Sequence, residues 1–214
     1  MECKMEELEP SELGTHDYWN DRYEKEISNY LAHGDAGEIW FGDDIVDRIL
    51  RWLCKTPEIE KDSSFVDLGC GNGMFLIELS NEGYTNLLGV DYSQKAVELS
   101  RKIANEKGYN ISYKRADILE GLKCTFKVIH DKGTYDAISL SENARDNRQK
   151  YIVNVHNMMS EDSFFIITSC NWTQVELMEH FKEHFQMYQV IPTPTFKFGG
   201  KEGSVVSICV FKKL

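Results

Sequence analysis

Val66-Asp67-Leu68-Gly69-Cys70-Gly71-Asn72-Gly73 joins two runs of opposite character. Residues 64–68 form a short apolar run that reads as a buried strand, and residues 74–80 read as a helix. Glycines at alternate positions let the chain turn tightly and let a ligand approach the backbone. The helix that follows offers unpaired N–H groups in its first turn. A dinucleotide-binding loop is the obvious rival for such a strand–glycine–helix unit. Two details count against it. The spacing is G-x-G-x-G, with Met74 where a third Gly or Ala is expected. Asp67 also precedes the glycines, where a carboxylate repels a pyrophosphate but suits a cationic amino-acid ligand.

Working outward, strands and helices alternate. Strands are expected at residues 86–90, 111–115, 125–130, 163–168, 185–191 and 204–211, with helices at 94–106, 145–159 and 173–183. Upstream, Tyr18, Trp19, Tyr23, Ile27, Tyr30 and Leu31 recur at helical spacing, and a second amphipathic stretch runs over 44–53. The expected fold class is α/β: a single doubly wound seven-stranded sheet of Rossmann-like type with an N-terminal helical extension. The sheet should be mostly parallel. One antiparallel strand belongs near the C-terminus, because the last two strands are joined by a Pro/Gly-containing loop too short for a crossover helix. The expected division is an acidic, disordered tail over 1–12 and one domain over 13–214, with 13–60 as the extension and 61–214 as the core.

Ligands of such sheets bind at the carboxyl ends of strands. The second strand ends in Gly89-Val90-Asp91-Tyr92, and Asp91 lies 91 − 71 = 20 residues past the middle glycine, the offset at which an acid reads ribose hydroxyls. The third ends in Ala116-Asp117-Ile118, where Asp117 can accept from an adenine amino group while Ile118 packs on the ring. Three acids at three successive strand ends beside one glycine loop specify an adenosine ligand far better than any one of them. Each acid alone is equally readable as a helix cap or a solvated turn.

The composition is that of a packed globule, 42% hydrophobic and 12% aromatic, with formal net charge −11. No basic stripe favours a nucleic-acid partner. The start, MECKMEELEP, is polar and no apolar run reaches membrane-span length, so neither a signal peptide nor membrane insertion is expected. The six cysteines are scattered and fit free thiols in a reducing compartment, with no metal site expected. His180 and His184 lie four apart without a third ligand and are read as solvent-facing.

The series Asp67 to Gly73, Asp91 and Asp117 resembles the seven-stranded S-adenosylmethionine-dependent methyltransferases. A closer resemblance covers nearly the whole chain from Leu13. Leu13-Gly14-Thr15, Gly37-Glu38-Ile39-Trp40-Phe41-Gly42, Asp131-Lys132-Gly133-Thr134-Tyr135-Asp136-Ala137-Ile138-Ser139-Leu140, Thr168-Ser169-Cys170-Asn171-Trp172-Thr173 and Pro192-Thr193-Pro194 look like the elongation factor 1-alpha lysine methyltransferase 2 family. The resemblance implies methylation of a lysine on that translation factor by a monomer, in the cytoplasm and also the nucleus, with S-adenosylhomocysteine as product. It implies cofactor contacts from Trp40, Asp67, Gly69, Cys70, Gly71, Asn72, Gly73, Asp91, Tyr92, Asp117, Ile118 and Asp131.

A lysine amine, of ordinary pKa ~10.4, must lose its proton before attacking a methyl group. Desolvation and a neighbouring sulfonium both lower that pKa. Asp131, closing the fourth strand, is the candidate to orient the amine, with a helix-capping aspartate as the alternative. Gly133 and Thr134 would shape the slot, and Tyr135 and Trp172 would wall it as aromatic faces for a cation, against ordinary core packing. Asn171, after the fifth strand, can hold the amine through its amide, and Trp40 with Glu38 can cover the methionine end. Three rivals remain: a small-molecule methyltransferase on the same fold, a nicotinamide-dependent dehydrogenase, and a binding module without turnover.

Overall fold

The computed structural model describes residues 7–198 and 201–214. Two helices come first, α1 (His16–His33) and α2 (Asp43–Lys55). There follow β1 (Phe65–Leu68), α3 (Met74–Asn81), β2 (Leu87–Asp91), α4 (Gln94–Glu106), β3 (Ser112–Arg115), β4 (Phe126–Lys132), α5 (Thr134–Ser139) and α6 (Ala144–Asn157). The chain continues with β5 (Met159–Ser169), α7 (Gln174–Phe181), β6 (Phe185–Val190), β7 (Thr195–Phe198), β8 (Lys201–Ser204) and β9 (Ser207–Lys213).

Seven strands make one sheet in the order β3-β2-β1-β4-β5-β9-β6. β1 to β5 pair in parallel, and β9 runs antiparallel to both β5 and β6. The order reverses between β1 and β4, which opens a crevice at their carboxyl ends. Alternate side chains of each strand feed opposite cores, as the two-residue period of a strand requires. Phe65, Val128, Phe164, Ile166 and Val210 face α2 and α3. Val66, Ile129, Phe165, Ile167 and Phe211 face α6 and α7. α2 buries Ile45, Ile49 and Leu53 in the first core, so the extension and the strands share one apolar interior.

Three differences from the sequence reading stand out. The sequence predicts a disordered acidic tail over 1–12; residues 1–6 lie outside the described residues, and 7–12, exposed apart from half-buried Leu8, touch the domain at three points. Glu7 pairs with the buried Arg148 at 2.6 Å, Leu8 lies on the second core, and Ser11 N–H donates to Leu140 O at 3.0 Å. A run of glutamates reads as solvated unless one finds a buried guanidinium, and Arg148 is 6% exposed. α5 was not foreseen, because six residues are too few to show a 3.6-residue period. The stretch between the last two sheet strands carries a β7–β8 pairing rather than a plain loop. Among the described residues no helix is long and apolar enough to cross a membrane.

Candidate functional site

The crevice holds a cavity of about 260 Å³ at the carboxyl ends of β1 to β5. Its walls are mostly apolar. A pocket of about 30 Å³ adjoins it and shares Trp40, Gly69 and Lys132 with it.

Asp91, at the end of β2, borders the cavity and is 5% exposed. One oxygen accepts Gly71 N–H at 3.1 Å and the other Ser93 N–H at 2.9 Å. Burial nevertheless dominates and pushes its carboxyl up to about 6. The two backbone donors fix the carboxylate and leave lone pairs on both oxygens for a vicinal diol. Asp117 caps its own turn by accepting Leu119 N–H at 2.8 Å, and both it and Ile118 border the cavity. Tyr92 also lines it, with its hydroxyl donating to Thr15 O at 3.3 Å.

Asp67, Cys70 and Asn72 border the small pocket rather than the main cavity. Asp67 is held by His130 Nδ1 at 2.7 Å. Burial lowers the His130 pKa, and among the described residues its buried Nε2 has no partner, an arrangement that suits a neutral ring donating from Nδ1 to Asp67. Asn72 uses its amide on Ala36 O and Glu38 O at 3.0 and 3.2 Å, tying the loop before α2 over the pocket.

Gly71 and Gly73, expected to contact the cofactor, border neither space. A Cβ on Gly71 would lie 2.5 Å from the Tyr23 hydroxyl, and one on Gly73 would lie 2.5 Å from the Tyr113 hydroxyl. Both glycines are left-handed, at φ 55° and 74°. They serve close packing, and Gly71 N–H serves Asp91.

The acceptor side departs furthest from expectation. Asp131 is 0% exposed and does not reach the cavity. Its carboxylate accepts Thr134 N–H at 3.0 Å, Tyr135 N–H at 3.1 Å and the Tyr151 hydroxyl at 2.5 Å. From two residues before the N-cap Gly133 it satisfies the first N–H groups of α5, because strand alternation sends Ile129 and Asp131 into the α6 face. Burial pushes its carboxyl up to about 7. Tyr135, also 0% exposed, packs on Tyr151 and Phe181 and shares a hydrogen bond with His180 Nδ1 at 2.9 Å. Trp172 is 3% exposed; its indole N–H donates to Ser139 Oγ at 3.0 Å and its face carries Arg148 at 5.3 Å. Neither ring walls the cavity. His180 is not solvent-facing: it lies between these rings, and burial lowers its pKa to about 4. His184 is half-buried against His156, with ring centroids 5.2 Å apart.

Gly133, Thr134 and Asn171 do border the cavity. Thr134 spends its hydroxyl on Leu68 O at 2.7 Å. Asn171 Oδ1 meets the weak Cys170 thiol at 3.7 Å, and among the described residues its amide nitrogen has no protein partner.

Sequence reasoning missed several residues. Leu13, Trp19 and Tyr23 reach the cavity from the N-terminal segment. Trp19 donates to Leu13 O at 2.7 Å and lies 5.4 Å from Trp40, so two indoles roof the site. Phe41 beside them has φ 68°, strained for a bulky residue, and its ring faces Gly133. Asp136, buried at the cavity edge, accepts the Ser169 hydroxyl and Cys170 N–H and so shapes the end of β5. Lys132 borders both spaces.

This geometry can hold an adenosine by its ring and its diol, with an amino-acid end toward Asp67. Asn171 borders the same cavity from the loop after β5. A family model described as a methyltransferase domain matches residues 59–208. EEF1A lysine methyltransferase 2 of Mus musculus is 44% identical over 208 residues, covering 95% of this chain and 85% of that protein. Protein-lysine N-methyltransferase EFM4 of Saccharomyces cerevisiae is 36% identical over 223 residues, covering 97% of each. The crystal structure of magnesium protoporphyrin IX methyltransferase from Synechocystis with bound SAM superposes with TM-score 0.68 at 15% identity, covering 92% of this chain and 94% of that one, which speaks for the fold alone. The chain belongs to the EEF1A lysine methyltransferase 2 family of protein-lysine methyltransferases.

Proposed function

We propose that this protein transfers methyl groups from S-adenosylmethionine to a lysine side chain of translation elongation factor 1-alpha. The observation that carries the cofactor half is the alignment of Asp91, Asp117 and Ile118 along one cavity at successive strand ends, with Asp67 in the pocket beyond Gly69. The relatives' name carries the identity of the acceptor.

When bound, the cofactor supplies an electrophilic methyl group on a cationic sulfur. Asp91 binds the ribose hydroxyls, Asp117 and Ile118 bind the adenine, and Asp67 meets the amino group of the methionine end. Trp19 and Trp40 exclude water from above. The apolar walls disfavour an ammonium and so help the incoming lysine lose its proton. Asn171 orients the amine by hydrogen bonding; a carboxamide has no basic site, so it does not take the proton. Net charge −11 favours encounter with a basic protein surface. The protein acts as a monomer, in the cytoplasm and nucleus.

The test is incubation with labelled cofactor in a lysate from cells lacking the corresponding enzyme. A labelled band at the mass of elongation factor 1-alpha, lost with Asn171→Ala, supports the reading. Label only in small molecules assigns the fold to a different acceptor. Thermal shift separates the dehydrogenase alternative: S-adenosylhomocysteine should raise the melting temperature and NAD should not.

A further inference from the structure

Among the described residues Lys132 is the one cation that borders both spaces of the site. It ends β4, and strand alternation places 128, 130 and 132 on the sheet face opposite Asp131, the face that also carries Asp67. Its ammonium donates to Trp40 O at 3.3 Å and lies 5.9 Å from the centre of the Phe41 ring. Among the described residues it forms no ion pair. An ammonium has three donors, and the carboxylates of Asp67 and Asp131 act on this one only from beyond ion-pair distance, so two donors stay open on the pocket side. Burial pulls its pKa down, against the opposing pull of those two carboxylates. The group is therefore poised for an anion that enters with a ligand.

The small pocket shows which anion fits. Asp67, held by His130, lines it together with Lys132 and the exposed Glu38. Carboxylate and ammonium on the walls of one pocket complement a free α-amino acid, which offers an ammonium and a carboxylate on one carbon. Resting on the cofactor reading above, we propose that Lys132 binds the α-carboxylate of the cofactor's methionine end, opposite in sign to the ammonium read by Asp67. Lys132 is then a positioning residue: it fixes the amino-acid end, and so the sulfur, relative to Asn171. A substrate lysine placed there would meet two cations, so Lys132 also marks the side of the cavity from which the acceptor does not enter.

The test is calorimetric binding, with no turnover involved. The probes are S-adenosylhomocysteine and S-adenosyl-3-thiopropylamine, the same molecule without its carboxylate. The wild-type protein should bind the second about tenfold or more weakly, the loss expected for one charge-assisted contact. Lys132→Met should bind the first as weakly as the second, with affinity for the second unchanged within about twofold. Equal binding of both probes by the wild type overturns the assignment without recourse to any variant, and leaves the cofactor reading intact. Lys132→Met that keeps the full discrimination, or loses affinity equally for both probes, also overturns it. No binding of either probe by the wild type brings down the cofactor reading as well.

Discussion

Removing the Asp131 carboxylate separates a structural role from a catalytic one. In Asp131→Ala, the N–H groups of Thr134 and Tyr135 and the Tyr151 hydroxyl all lose their acceptor. Each orphaned buried donor costs about 1–3 kcal/mol. Thr134 borders the cavity, where water can replace the lost bond, so its share is at the low end. The cost of keeping the carboxylate dry, visible in a carboxyl pushed up to about 7, is returned on removal and offsets part of the loss. The net expectation is about 2–4 kcal/mol, which for a chain of this size lowers Tm by roughly 4–16 °C. Asp131→Asn keeps an oxygen for the two N–H groups, and Tyr151 can turn to accept from the new amide. Its cost should be about 1 kcal/mol, a few degrees. The assay is thermal melting by circular dichroism, followed by initial rates on elongation factor 1-alpha well below the lower Tm. Both variants should keep KM for the protein substrate, and Asp131→Asn should keep most of kcat. Loss of turnover in Asp131→Asn with Tm unchanged would refute the capping role and put this side chain on the amine.

Further outcomes follow from the same geometry. With the Asp91 carboxyl at about 6, its ionised, hydroxyl-accepting form prevails above that pH and is lost below it. The Kd for S-adenosylhomocysteine should therefore rise as pH falls through 6, by up to about tenfold per unit, and Asp91→Asn should be weak and pH-flat; a flat wild-type profile from pH 7.5 to 5 contradicts this. In Gly69→Ala, a Cβ would lie 2.0 Å from Thr134 Oγ1 at a backbone φ of 65°, so stability should fall by about 1–3 kcal/mol and cofactor affinity with it; wild-type Tm and Kd would contradict the packing of this loop. Glu7→Gln should lower Tm by about 1–4 °C at low salt, because Glu7 is itself largely exposed, and by less in 1 M salt; no change at low salt would mean the tail does not dock on Arg148.

The strand-end acids of β2 and β3 were legible because position and chemistry coincide there: each alone reads equally as a cap, but acids at successive strand ends beside one glycine loop share one task. Asp131 was not, because an acid closing a strand reads alike whether it points into a cavity or into a core. Both faces of β4 are buried, and the sequence does not say which one opens on the ligand. A cue was present: Asp131 lies three residues before Thr134 with Gly133 between, the spacing of a side chain that caps a turn. Trp172 carried a clearer cue. Thr173 and Glu176 form a capping box, and the apolar residue before such a cap commonly packs on the one four after it, here Leu177 in the same core. Trp19 and Tyr23 were legible as the apolar face of a helix, but which neighbour that face meets is decided by chain path rather than by period. Lys132 gave no signal in sequence, since its meaning comes from sharing a pocket with Asp67, sixty-five positions away.

The most direct measurement is peptide mass spectrometry of purified, unmodified elongation factor 1-alpha after incubation with this protein and S-adenosylmethionine. Mass gains of whole methyl groups on one lysine, absent when that lysine is changed to arginine and absent with Asp91→Asn, are the predicted result. A factor that stays unmodified while the protein binds S-adenosylhomocysteine tightly would contradict the assignment of its acceptor.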